Sequence, residues 1–196
     1  MRASIAPVPA NSLLPCGHVW NHRTGGGVAP KVALPEGRVR LAPSVRLAGR
    51  DDVPAIARLS RDHIEQGLGW SWTPARVTRC LRDPQTNVAV ARQGDAMLGF
   101  GIMKYRDDDA HLLLLAVQPS QVRAGVGSTL VGWLEAVAVV AGIRQISLEV
   151  RRTNEVALSF YARLGYSRVQ ELPGYYQGVE AAVRLAKDLQ RVRVGP

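Results

Sequence analysis

Val117-Gln118-Pro119-Ser120-Gln121-Val122-Arg123-Ala124-Gly125-Val126-Gly127-Ser128 is the stretch on which the fold turns. A β-rich run ends at Val117, a proline and two glycines follow, and residues 128–141 are apolar almost all round. The order is strand, turn, helix N-terminus. Glycine lets a backbone come close to a ligand, and the first N–H groups of a helix have no intrahelical acceptor, so this junction suits an anion such as a pyrophosphate. A Gly-x-Gly before a helix occurs in many folds, and its surroundings must decide among them.

Three β-rich runs precede or enter this junction, at 87–92, 97–105 and 111–117. The polar connections Gln93-Gly94-Asp95 and Arg106-Asp107-Asp108-Asp109 are short, which predicts an antiparallel meander. Further upstream, 45–47 reads as a short strand. Val53, Ile56, Ala57, Leu59 and Ile64 then recur at helical spacing behind a cap at Asp51 or Asp52. Thr73-Pro74 caps and opens a second helix through Val77, Cys80 and Leu81, and Asp83-Pro84 stops it. Downstream come a strand at 146–150, a helix over 154–164 closed by Gly165, and strands at 166–170 and 180–185.

The expected fold is a mixed α/β domain with a mostly antiparallel sheet of six to seven strands and about four helices. One strand-helix-strand crossover, from 117 to 146, puts two strands parallel, and ligands bind where such a sheet opens. The helix over 128–141 is expected to be covered on more than one side.

The domain is expected to span 45–187, with a disordered extension at 1–44 rich in Pro, Gly, Ser and Arg and a tail at 188–196. Net charge is +9, yet residues 1–50 hold seven Lys/Arg against one acid and so carry +6 of it. That segment lacks interleaved aromatics, and nucleic-acid binding is not expected. The longest apolar stretch is too short to cross a membrane, and no signal peptide is evident, which makes a cytoplasmic protein the expectation. Two cysteines, Cys16 and Cys80, are read as free thiols. Cys16, His18 and His22 have no matching second pair of ligands, so no metal is expected.

Three phosphate-binding classes compete for the loop. Gly127-Ser128-Thr129 offers no lysine for a P-loop. A dinucleotide fold gains from Glu149 at the end of the next strand, but Leu130 replaces the third glycine and the loop follows a meander instead of opening a parallel sheet. The third class is carried by Leu115-Ala116-Val117-Gln118-Pro119, by 123–130, by Leu148-Glu149-Val150-Arg151-Arg152-Thr153-Asn154, and by Ala157 through Phe160-Tyr161-Ala162-Arg163-Leu164-Gly165-Tyr166. In order and spacing these resemble the GNAT superfamily of N-acetyltransferases over most of 45–187. The family's Gln/Arg-x-x-Gly-x-Gly/Ala pattern begins here on Val122, with Arg123 and Gln121 beside it.

What the resemblance implies is acetyl-CoA as cosubstrate in a gap between two parallel strands. It would be bound by Leu115, Ala116, Val117, Val122, Arg123, Ala124, Gly125, Val126, Gly127, Ser128, Asn154, Phe160 and Tyr161. An attacking amine must first lose a proton, and Glu149 stands where relatives place the base; read simply as a strand residue, it is an ordinary edge or salt-bridged carboxylate. Tyr161 stands at the position of the acid for the departing thiolate; read simply as a helix residue, it packs beside Leu158 and Leu164. Asn154 also reads as a helix N-cap. His63 and His111 are the remaining titratable candidates. His111 lies near 20 Å from the glycine loop at ~3.3 Å per residue, and is ranked well below Glu149.

Within the superfamily, the block from 148 to 182 is similar to bacterial ribosomal-protein alanine N-acetyltransferases, which carry a tyrosine pair before the last strand. Tyr175 and Tyr176 would then hold the acceptor, a primary amine such as a protein N-terminus; the other reading makes them an aromatic cap on a hairpin. A small-molecule or antibiotic amine is the alternative acceptor, and a non-catalytic acyl-CoA-binding domain the alternative of another class. A monomer or a homodimer is compatible with this reading.

Overall fold

The computed structural model describes residues 43–65, 69–176, 178 and 180–190. Residues 1–42, including Cys16, His18, His22 and most of the expected extension, lie outside the described residues, as do 191–196. The elements are β1 (Ser44–Leu47), α1 (Val53–His63), α2 (Pro74–Arg82), β2 (Thr86–Gln93), β3 (Ala96–Tyr105), β4 (Asp109–Val117), α3 (Val126–Val140), β5 (Gln145–Arg151), α4 (Glu155–Arg163), β6 (Ser167–Tyr176) and β7 (Glu180–Asp188). They build one seven-stranded sheet in the order β1-β2-β3-β4-β5-β7-β6, in which β4 and β5 alone run parallel. The expected architecture is the observed one.

Alternation along the strands divides the core between two faces. Ile56, Val77, Val90, Phe100 and Ile102 pack under α1 and α2, whereas Leu130, Leu134, Leu148, Leu158 and Val183 pack under α3 and α4. Burying a Leu, Ile or Phe side chain contributes about 1.5–3 kcal/mol, so these two layers dominate the favourable side of folding. Alpha3 comes close to the sheet because β3 has no side chains beneath it at Gly99 and Gly101. A Cβ at Gly101 would stand 2.8 Å from Leu134 Cδ1, and one at Gly99 only 2.6 Å from the Ala116 carbonyl oxygen.

Three local expectations need correction. Asp52 does not cap α1 with its side chain. Its carboxylate is instead buried, accepts from Gly49 N and pairs with Arg46 and Arg92, both at 2.8 Å. Two arginines across the β1–β2 ladder satisfy a buried acid better than one helix N–H would. Alpha3 is buried on one face, through Val126, Leu130, Val131, Leu134 and Ala138, while Val140 is 73% exposed. Small residues such as Gly132 and Ala136 leave little apolar area on the outer side for a second layer to cover. Finally, β6 continues six residues past 170, because β7 keeps pairing with it through two register shifts despite Pro173-Gly174. At the C-terminal end Leu189 is buried in the α3/α4 core.

The feature that shapes the molecule is a bulge in β4. Ile102 pairs with Leu114 and Met103 with Leu112, leaving Leu113 as an extra residue. A bulge bends its strand and increases the local twist. On its other side β4 pairs with β5 only over Asp109, Ala110 and His111, opposite Gln145, Ile146 and Ser147. Past that point the two strands part.

Candidate active site

The parting leaves a cleft of about 630 Å³ between β4 and β5. Its walls are His111 to Leu115 on one strand and Leu148 to Arg151 on the other; Asn154, Ala157 and Tyr161 close it from α4, and Tyr175 and Tyr176 from β6. From the α1–α2 side come His63, Glu65, Trp72 and Arg76. Of the residues singled out in the sequence, the cleft brings together Leu115, Glu149, Asn154, Tyr161, Tyr175 and Tyr176.

Glu149 is held tightly. Leu148 and Val150 face the α3/α4 core, so Glu149 between them points to the other face of the sheet. Its side chain is 6% exposed and accepts from Arg184 Nε, its cross-strand partner on β7, at 2.8 Å. The other carboxylate oxygen is 2.8 Å from His111 Nε2 and 3.4 Å from the Tyr175 hydroxyl. Burial alone raises the pKa of this carboxyl, but the hydrogen bonds and charges of His111 and Arg184 outweigh it and hold the group below the usual glutamate range. His111 Nδ1 lies 3.0 Å from Ser147 Oγ.

His111, far from the glycine loop along β4 as expected, is nonetheless part of the site: the parallel register sets it opposite Ser147, on the same side as Glu149 two residues on, within 2.8 Å of that carboxylate. Arg184 was missed. Its signal was the alternation of β7, where the arginine stands between the buried Val183 and Leu185.

Tyr161 belongs to the other face. It packs edge-on against Phe160 at 5.0 Å and Tyr166 at 5.5 Å, inside the α3/α4 core. Burial, with a smaller effect from Tyr176, pushes its phenol far above the ordinary tyrosine range. Its hydroxyl has no hydrogen-bond partner among the described residues, and it lines the cleft as a neutral donor. Asn154 is the N-cap of α4, its side chain accepting from Ala157 N at 3.0 Å.

The glycine loop sits at the far end of β4. A 3₁₀ turn, Pro119–Gln121, leads through Arg123 (φ 66°) to Gly125 (φ 83°), the N-cap of α3. The helix starts two residues earlier than expected, so Gly127 and Ser128 lie in its first turn. The first α3 hydrogen bond of the i→i−4 kind runs from Thr129 N to Gly125 O, which leaves the N–H groups of Val126, Gly127 and Ser128 without helical acceptors. Gly125 has no side chain with which to cap them. Open donors at a helix N-terminus fit a pyrophosphate. Phe160 lies across from this turn, its ring 3.3 Å from where a Cβ on Gly127 would stand.

A strand junction of this kind, a parted parallel pair and a glycine-opened helix point to one family, and the acetyltransferase (GNAT) family model matches residues 56–166. The chain belongs to the GNAT acetyltransferase family. It is an acyltransferase of that family. Over 163 residues, 80% of this chain, it is 30% identical to a mycothiol acetyltransferase of Kineococcus radiotolerans, of whose length it spans about half, 52%. It is 29% identical over 128 residues to the ribosomal protein bS18 alanine N-acetyltransferase of Escherichia coli, covering 63% of this chain and 86% of that one. Among solved structures, Ard1 from Thermoplasma volcanium shares the fold with a TM-score of 0.68 at 23% identity, over 76% of this chain and 98% of that one. Among the described residues no helix is long and apolar enough to cross a membrane, and no group of three or more His, Cys, Asp or Glu stands ready for a metal ion.

Proposed function

We propose that this chain transfers an acetyl group from acetyl-CoA to a primary amine, with a protein or peptide N-terminus as the acceptor. The observation that carries this reading is that Glu149 and Tyr161 reach one cleft from opposite faces of the sheet, through the gap between β4 and β5. Acetyl-CoA, when bound, supplies the thioester. The open N–H groups of α3 and the backbone of Arg123 to Ser128 receive its phosphates, and the unpaired edge of β4 at Leu115 to Val117 receives its pantetheine arm. Phe160 and Asn154 flank that path.

The acceptor enters on the α1–α2 side. Glu149 takes the proton from the incoming ammonium, leaving a neutral amine to attack, while Arg184 and His111 fix the carboxylate in place. On the opposite face Tyr161 donates its hydroxyl proton to the departing sulfur. Tyr175 and Tyr176 hold the acceptor backbone beside Glu149.

A protein N-terminus is supported by the likeness to the bS18 alanine N-acetyltransferase and by a cleft without spare acid. Glu65 is occupied by Ser71 N, Ser71 Oγ and Trp72 N, so beyond Glu149 itself the acids lining the cleft leave none for the further charges of a polycationic small molecule. The likeness to the mycothiol acetyltransferase favours the second reading, a small-molecule amine. Thiol release from acetyl-CoA, followed over a panel of N-terminal peptides and small amines, tests both. Turnover confined to non-peptide amines would overturn the first.

A further inference from the structure

Resting on the acetyl-transfer reading, we propose that the acceptor carries a carboxylate close to its amine and that Arg76 binds it. Each of the other arginines around the cleft already has an acid. Arg184 is committed to Glu149, and Arg151 pairs with Glu180 at 2.9 Å. Arg76 lines the same cleft, yet has no carboxylate within 4.0 Å among the described residues. Its guanidinium rests on the indole of Trp72, 4.0 Å from the ring centroid, and that indole is itself buried. The position is thereby fixed, on the first turn of α2, behind the Thr73 cap.

Stacking uses the face of a guanidinium and leaves its in-plane N–H groups for another partner, and those N–H groups match the two oxygens of a carboxylate. The one acid nearby in sequence and cleft, Glu65, does not fill this role. Its oxygens already accept from Ser60, Ser71 and Trp72, where they tie down the segment leading into α2. The acceptor wall of the cleft thus holds one oriented cation with open donors, in the cleft that Glu149 also lines. A peptide whose second residue is acidic presents a carboxylate a few bonds from its α-amine, and so does a small amino acid.

The test uses the full chain with acetyl-CoA and matched acceptors. One series comprises peptides identical except for Asp, Asn or Lys at the second position; the other comprises β-alanine and β-alaninamide. A charge-assisted hydrogen bond favours the acidic member by roughly ten- to hundredfold in kcat/KM. Most of that factor is expected in KM, since the carboxylate is held equally before and during transfer. R76Q brings the Asp-to-Asn ratio close to one, and R76E turns the preference toward the Lys peptide. Equal rates for Asp and Asn peptides in the wild type, or a preference that survives R76Q in a variant of unchanged melting temperature, would overturn the assignment. Acetylation of β-alanine over its amide, dependent on Arg76 and without peptide turnover, would keep it and remove the protein N-terminus instead. Failure of every amine would remove both.

Discussion

Glu149 and Tyr161 meet in one cleft, yet their surroundings are opposites. Glu149 is buried among charges, with Arg184 and His111 each at 2.8 Å, and its carboxyl is held ionised. Tyr161 is buried among aromatic rings, with its proton held on. Two sides of one sheet thus favour opposite protonation states: an ionised carboxylate on the side proposed to take the amine's proton, and a protonated phenol on the side proposed to meet the departing thiolate. The difference teaches that the gap in the sheet does more than admit a ligand. It joins a polar layer to an apolar one, which no single face offers.

The hardest test of the comparison is on the charged side. Glu149→Gln keeps the shape and removes proton acceptance, and kcat is expected to fall by about 10²- to 10⁴-fold. The loss should shrink as pH rises and the free amine becomes abundant, while acetyl-CoA still raises the melting temperature of the variant. Wild-type turnover in this variant, with chemistry rate-limiting, would break the assignment. The same carboxyl has a signature in stability. Its folded pKa is depressed, so it contributes stability that is present above the unfolded value, near 4.5, and is lost as pH falls through the lower folded value. Asp52, also depressed with Arg46 and Arg92 beside it, behaves alike. Melting temperature should therefore decline below pH ~4.5, and less steeply in Glu149→Gln than in the wild type.

On the aromatic side the expected effect is smaller. Tyr161→Phe removes one hydroxyl and leaves the ring against Phe160 and Tyr166, and kcat should drop about a hundredfold, the lower end for a positioned acid. Affinity for acetyl-CoA and the melting temperature should hardly move. If Tyr161→Phe instead lowered stability by several degrees, the hydroxyl would be a packing group, and the two faces would not divide the proton transfers.

The sequence carried this comparison unevenly. Elements with strong periods were legible: the meander, the apolar helix after Gly125, the crossover, and the block around Asn154 to Tyr166. Glu149 and Tyr161 were legible through their place in that order. The polar layer around Glu149 was not, because His111 and Arg184 reach it only by register, 38 residues before it and 35 after. Nor was the bulge at Leu113, since six consecutive apolar residues from Leu112 give no alternation from which to read an insertion. The placement of Arg76 depends on a cation resting on an indole four residues away, which composition alone does not reveal.

The glycine loop at the far end of β4 offers the finest distinction, between two glycines two residues apart. Gly125 adopts φ 83°, a left-handed conformation that costs an L-residue about 1–2 kcal/mol. Gly125→Ala should lower the melting temperature by a few degrees and weaken acetyl-CoA binding, since straining the cap turns the open N–H groups out of line. Gly127 has ordinary helical geometry, and a Cβ there would stand 3.3 Å from the Phe160 ring and 3.6 Å from Val117 Cγ2. The ring must give by a few tenths of an ångström, against which alanine gains at most about 1 kcal/mol of helix propensity over glycine. Melting temperature in Gly127→Ala should therefore stay within a degree or two of the wild type. The methyl group narrows the approach between α3 and Phe160, so the KM for acetyl-CoA should rise no more than about fivefold, or ~1 kcal/mol. Isothermal titration of both variants separates the cases: strain at Gly125 shows in melting and binding together, crowding at Gly127 in binding alone. A Gly127→Ala protein with unaltered affinity would place the ligand's path away from Phe160.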